Sequence, residues 1–153
     1  MGAVPDPVGS TSARQKLRFW LQLLKASRHV ENELRDRLRQ QFATTLPRFD
    51  VMAMLEKSGG GLRMSALSAQ LMVSNGNVTG IIERLVKDGL VERVPIKGDR
   101  RATLVRLTPL GKADFTKMAR THRQWIDELF APLNEFELEN AMKTLGKIRK
   151  LGA

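Results

Sequence analysis

From Arg14 onward, apolar positions fall on a helical beat. Leu17, Trp20, Leu21, Leu24, Val30, Leu34 and Leu38 recur mostly at steps of three and four with charges between them, which predicts one long, one-faced helix to about Gln41. Proline suits a first helical turn, so a shorter helix is predicted to start near Leu46-Pro47. It buries Phe49, Met52 and Leu55 and stops at Ser58-Gly59-Gly60-Gly61. These glycines lack the Lys-Ser/Thr tail of a phosphate loop and read as a helix stop. Ser65 can cap two turns to Leu71, with Leu67 and Leu71 inward. After a turn at Met72-Val73-Ser74, a further helix capped by Ser74 or Asn75 places Val78, Ile81, Ile82 and Leu85 on one face. Gly89 ends it as a left-handed stop. Two short helices so close together form a helix-turn-helix pattern.

The period then shifts. Leu90–Val94 and Ala102–Leu107 are rich in β-branched and aliphatic residues, and Lys97-Gly98-Asp99 supplies a hairpin turn, so a wing follows the helix pair. Thr108-Pro109 reads as N-cap and first residue of a long helix with Phe115, Met118, Ala119, His122, Trp125, Ile126 and Leu129 on its apolar face, ending at Pro132. A last helix from about Asn134 or Glu135 to Lys150 repeats Leu138, Ala141, Met142, Leu145 and Ile148. The expected fold is mainly α with a small β-hairpin wing, a winged helix-turn-helix between long terminal dimerisation helices. The expected segments are a disordered leader at 1–13, an N-terminal dimerisation helix at 14–45, the winged helix-turn-helix at 46–108 and C-terminal dimerisation helices at 109–153. Self-association is expected because apolar stripes at both ends exceed what a 153-residue chain can cover by itself.

Composition narrows the chemistry. The chain has no cysteine, which removes disulfides, thiolate metal sites and thiol redox sensing. His29 and His122 are far apart and lack acidic companions at ligand spacing, so neither a metal site nor a catalytic set is expected, and no enzyme. No cofactor is expected. No apolar run is long enough for a membrane span and no signal peptide is read at the N-terminus, so a cytoplasmic location is expected. Asp6 occupies the position where a myristoylation motif needs Ser or Thr. The net charge of +10 points to a polyanion, although it also serves solubility. Between Arg93 and Arg106 five basic residues face one acid, Asp99.

With Val78, Ile82 and Leu85 inward, a turn of 100° per residue places Gly76, Gly80, Glu83, Arg84 and Lys87 outward, flanked by Asn75, Asn77 and Thr79. Amides and a hydroxyl at the first turn suit base-edge hydrogen bonds, while Arg84 and Lys87 can reach phosphates. Ser74, Asn75 and Asn77 serve equally well as caps. Gly76 and Gly80 let the backbone approach a groove. Arg100 and Arg101 at the hairpin tip suit a narrow minor groove, with Asp99 available to fix one arginine's rotamer.

Leu67 to Thr79, Arg84 to Arg93, and Asp99-Arg100-Arg101 through Leu107-Thr108-Pro109-Leu110-Gly111 resemble the MarR family of bacterial winged-helix transcription regulators. The resemblance covers about residues 14–150. It implies a major-groove helix around Ser74–Arg84, with Asp99 and Arg101 at the wing's Asp-x-Arg positions and Arg101 entering the minor groove. It also implies a homodimer on a palindromic double-stranded DNA operator, joined through Leu17–Val30 and Trp125–Ile148. Gly76 and Gly80 depart from the larger polar side chains of many members and shift specificity toward DNA shape. Many members bind a small aromatic or anionic effector. Here that pocket would be lined by Trp20, Leu24, Arg28, His29, Phe49, Met52 and Phe115, with an aromatic acid or its acyl thioester as ligand. For Trp20 and Phe49 ordinary core packing is the first reading, and His122 is expected as a hydrogen-bonded interface residue. The implied function is a homodimeric repressor released by an effector. The alternative is a ligand-independent regulator, its pocket packed shut, that competes with other proteins at the promoter.

Overall fold

The fold is described from a computed structural model covering residues 11–71 and 75–150, with the backbone alone at 75, 76 and 100. Its elements are α1 (Thr11–Phe42), α2 (Leu46–Ser58), β1 (Leu62–Arg63), α3 (Met64–Leu71), α4 (Asn75–Lys87), β2 (Val91–Ile96), β3 (Asp99–Leu107), α5 (Pro109–Leu129) and α6 (Glu135–Lys150). The three strands form one antiparallel sheet in the order β1-β3-β2. A mainly helical chain with a small sheet and a hairpin wing is the expected class.

Helix ends follow local chemistry. Thr45 accepts the Arg48 N–H at 3.3 Å, which caps α2 ahead of Pro47. Asn134 and Glu137 exchange side-chain to backbone hydrogen bonds at 2.8 and 3.2 Å, a capping box that starts α6. Gly89, at φ +76°, closes α4 through the Leu90 N–H to Leu85 carbonyl bond.

Several expectations shift. The predicted leader ran to residue 13, yet α1 is already helical at Thr11, and residues 1–10 lie outside the described residues. Ser65 is not the cap of α3, which begins one residue earlier at Met64. Helix α5 ends at Leu129, three residues before Pro132. The strands β2 and β3 are longer than predicted because pairing carries them to the hairpin tip. β1 was not anticipated. Its two residues pair Leu62 with Val105 and Arg63 with Leu104, a contact that alternation over two positions cannot announce.

The core lies where α2, α3, α4 and α5 meet the sheet. Leu38, Val51, Met52, Leu67, Val78, Ile82, Leu85, Val91 and Val105 are fully buried. Phe49 packs against Phe115 with ring centroids 5.5 Å apart. The terminal helices behave differently. Only Leu34 and Leu38 of α1 are buried, and no residue of α6 is. Trp20 stays 52% exposed and Met142 66%, so the stripes read from the sequence exist but find no cover within one chain at these positions. Trp125, expected at a dimer interface, is instead buried in this chain's own core, tilted against Phe42 at 6.1 Å.

Gly111 sits where any Cβ would collide with the Leu90 carbonyl, whereas a Cβ at Gly146 would meet open space. Gly111→Ala is therefore expected to destabilise the fold by about 2 kcal/mol or more through backbone displacement. Gly146→Ala should stabilise α6 by up to about 1 kcal/mol. Urea unfolding of both variants checks the contrast, and equal midpoints would contradict it.

Candidate nucleic-acid interface

Helix α4 turns its two faces as its periodicity dictates. Val78, Ile82 and Leu85 are sealed in the core, while Asn77, Thr79, Gly80, Glu83, Arg84 and Lys87 are exposed. A Cβ at Gly80 would meet nothing within 4 Å, so no contact inside the chain requires glycine there. Of the other candidates, Ser74 lies outside the described residues, Asn75 is the first residue of α4 and Arg100 lies in β3.

In the wing, Gly98 takes φ +91° at the turn. Asp99 was expected to fix an arginine side chain. Its carboxylate instead accepts the backbone N–H of Arg101 at 3.0 Å, a link two residues on that shapes the turn and leaves the Arg101 side chain exposed. Further down the hairpin, Arg106 is tied to Glu92 across the strands at 2.6 Å.

Two ion pairs link separate helices. Arg48 on α2 reaches Asp88, just past the end of α4, at 2.7 Å. Arg37 on α1 reaches Glu128 of α5 at 2.7 Å. The Arg48 Nε is buried without a hydrogen-bond partner, so this arginine is anchored at one end of its guanidinium only.

The seven residues proposed for an effector pocket do not converge in this chain. Phe49, Met52 and Phe115 are buried in the core, whereas Trp20, Arg28 and His29 lie exposed on the first part of α1 and Leu24 is half-buried there. His122, expected in an interface hydrogen bond, stacks on Phe49 at 4.5 Å, and burial lowers its pKa. The chain does contain a cavity of about 510 Å³, placed farther along α1 than expected. It is bounded by Arg35 and Arg39 of α1, Asp50 of α2, Leu71 of α3, and Asn77 and Ile81 of α4. Arg35, Arg39 and Asp50 escaped the sequence reading because a carboxylate in an apolar helix announces nothing until the helices are packed. Burial, and secondarily Glu31, raises the Asp50 carboxyl to a pKa of about 6.

Among the described residues no cluster of three or more His, Cys, Asp or Glu could hold a metal, and no helix is long and apolar enough to cross a membrane.

A family model described as the MarR family matches residues 44–103. Among characterised proteins, the chain is 27% identical over 117 residues to the HTH-type transcriptional regulator PecS of Dickeya dadantii, spanning 75% of this chain and 70% of PecS. It is 25% identical over 140 residues to the HTH-type transcriptional repressor IacR of Pseudomonas putida, spanning 92% of this chain and 82% of IacR. Among solved structures, a MarR family transcriptional regulator from Silicibacter pomeroyi superposes with a TM-score of 0.80 at 29% identity, over 94% of this chain and 99% of that one.

Asp50 gives the cavity a pH signature. Its folded pKa lies above the ordinary 3.8, so the stabilisation from holding the proton is full below about pH 4 and is lost as pH rises through about 6. Asp50→Asn does not titrate. Its stability relative to wild type should rise between pH 4 and 7 by on the order of 1 kcal/mol, kept small because water screens a half-buried carboxyl. Denaturant unfolding at both pH values measures this, and a constant difference would contradict the assignment.

Proposed function

This chain belongs to the MarR family and is a DNA-binding transcription regulator, and from that premise we propose that it acts as a homodimeric repressor released from a palindromic operator by a small effector. The observation that carries the DNA-binding mode is one exposed helix face, Asn77 to Lys87, beside a hairpin with an exposed Arg101. An α-helix of this kind fits the major groove while the helix before it crosses the backbone, and a basic hairpin fits the minor groove. On this reading Ser74, Asn75, Asn77 and Thr79 read bases. Arg84 and Lys87 meet phosphates, and Arg100 and Arg101 serve the wing, its turn shaped by Asp99.

The dimer is supported by the uncovered apolar residues of α1 and α6: Leu17, Trp20 and Leu21 at one end, Phe136, Met142 and Ile148 at the other. A two-fold pair of these helices would bury both sets at once and set the two α4 helices about one DNA turn, roughly 34 Å, apart. Repression is supported by the name of the relative IacR.

Effector release is supported by the cavity itself. Its walls come from α1 on one side and from Asn77 and Ile81 of α4 on the other, so a ligand there bears on the helix placed in the groove. Arg35 and Arg39 suit an anionic group and the apolar walls suit a ring. Trp20, Leu24, Arg28 and His29 enter such a site only through a partner copy. The packing of Phe49, Met52 and Phe115 into the core favours a second reading, in which the originally expected pocket is packed shut and the regulator acts without ligand by competition.

Two measurements test these readings. Sedimentation at micromolar concentration should give about 34 kDa, twice the 17.2 kDa chain, and a monomer that binds operator tightly would refute the dimer. Calorimetric titration of simple aromatic acids into free protein and into its DNA complex tests release. A ligand that expels DNA must bind the complex more weakly by the factor with which it weakens DNA binding, so equal affinities would remove the cavity from control.

Arg101→Ala should weaken binding to every sequence and flatten the dependence on salt, as measured by anisotropy on duplex DNA. Unchanged affinity and unchanged salt slope would remove the wing from the interface.

A further inference from the structure

The strand that the sequence did not announce carries an arginine to an unusual place. Arg63 closes β1, opposite Leu104 of β3, and the next residue begins α3. Gly61, at φ +109°, lets β1 come this close: a Cβ there would lie 2.8 Å from the Val105 carbonyl oxygen. Arg63 is therefore fixed by sheet pairing to the wing. Arg101 stands three residues from Leu104 along β3, about 10 Å at strand rise, within the joint reach of two arginine side chains.

Arg63 and Arg101 line one notch of about 280 Å³, together with Ser65 and Thr103, and no acid lines it. Three other arginines do have carboxylate partners. Arg37 has Glu33 and Glu128, Arg48 has Asp88 and Arg106 has Glu92. Among the described residues neither Arg63 nor Arg101 has a carboxylate partner. Two like charges held toward one notch repel each other unless an anion lies between them.

The position of the notch identifies that anion. It lies between the start of α3, the helix that crosses the DNA backbone in a helix-turn-helix, and the hairpin that enters the minor groove. What separates a major groove from its neighbouring minor groove is a row of phosphates. We propose that Arg63, with Ser65, Thr103 and Arg101 around it, forms a clamp for a DNA backbone phosphate on the ridge between the groove read by α4 and the groove entered by the wing. Arg63 belongs to neither the helix-turn-helix nor the hairpin. Its work is to fix the register of both on the duplex, because a phosphate contact carries position without sequence. The clamp rests on the docking of α4 and the wing described above.

The test uses Arg63→Ala in the full chain, with a randomised duplex pool and the duplex that the wild-type protein selects from it. Affinity should fall by a similar factor on both. The slope of log affinity against log salt should become shallower by about one unit per bound chain, which reduces the loss between 50 and 200 mM salt by about fourfold per chain. Arg63→Lys should restore most of the slope, since the charge returns. Arg63→Ala combined with Arg101→Ala should cost less than the two losses added, because both meet one phosphate. Melting temperatures confirm that the variants fold, and Arg63→Gln repeats the measurement if the alanine variant loosens the sheet. An unchanged slope in a folded variant overturns the clamp while leaving DNA binding intact. A loss confined to the selected duplex overturns it in favour of base reading. A wild-type chain that binds neither duplex overturns the docking reading and the clamp together.

Discussion

The geometry of the DNA-facing half hangs on one threonine. The Thr108 hydroxyl donates to the Gly89 carbonyl at 2.6 Å and accepts the Gly111 N–H at 3.0 Å, while its backbone N–H donates to the Leu90 carbonyl at 3.0 Å. One residue thus satisfies the turn that ends α4 and caps the start of α5. Gly111 permits the approach because its absent side chain leaves room for the Leu90 carbonyl. The start of β2, the end of α4 and the start of α5 are locked into one joint. Helix α5 then carries that constraint outward through Phe115, Met118 and Trp125 into the packing of α1 and α2. A rotation of α4 relative to the terminal helices must strain this joint or move with it.

Charge divides along the same line. The arginines that set interhelical distances are neutralised, Arg37 between α1 and α5 and Arg48 between α2 and the end of α4. Exposed pairs of this kind contribute little to stability, commonly under about 1 kcal/mol each. Their value lies in orientation, since each fixes a helix at a point its apolar face leaves free to slide. The net charge of +10 leaves cations in excess over acids, which is the balance that a polyanion can draw on.

How much the sequence discloses depends on how local the determining physics is. The start of α2, the end of α4 and the start of α5 follow from Leu46-Pro47, from Gly89 and from Thr108-Pro109, because capping is settled within four residues. The inward face of α4 is equally legible from its period. β1 is not, since two residues become a strand only when Val105 and Leu104 arrive from a distant segment. Arg63 is consequently invisible as a wing neighbour. The stripe on α1 is legible as apolar, yet what covers Leu17 and Trp20 lies beyond a single chain. The cavity was not legible. Its residues come from four helices, and an expectation built on the aromatic content of α1 fell on Arg28 and His29, about two turns before Arg35 and Arg39. Asp99 shows a subtler failure: its chemistry as an acceptor was foreseen, but the nearest donor in a tight turn is the backbone, not a long side chain.

The gap that Gly80 leaves on the outward face of α4 bears on what kind of recognition such a scaffold supports. Gly80 has no partner within the chain, so its presence costs helix stability, about 1 kcal/mol relative to alanine, without an internal return. A helix that omits one side chain from its outward face has one fewer group for base-edge hydrogen bonds. It gains a closer approach of its backbone and of its first-turn amides to the groove floor. On the docking proposed above, discrimination would shift to features read at a distance from any base edge: the width of the minor groove under the wing, and the spacing of phosphates on the ridge beside it. Those features are sensed only by contacts held at fixed separations. The link from α4 through Thr108 to the sheet, and from the sheet to the wing, is what would hold such contacts at fixed separations. The same rigidity makes the contact vulnerable. A ligand that displaced Ile81 and Asn77 would shift the wing along with the helix, and both grooves would be lost together.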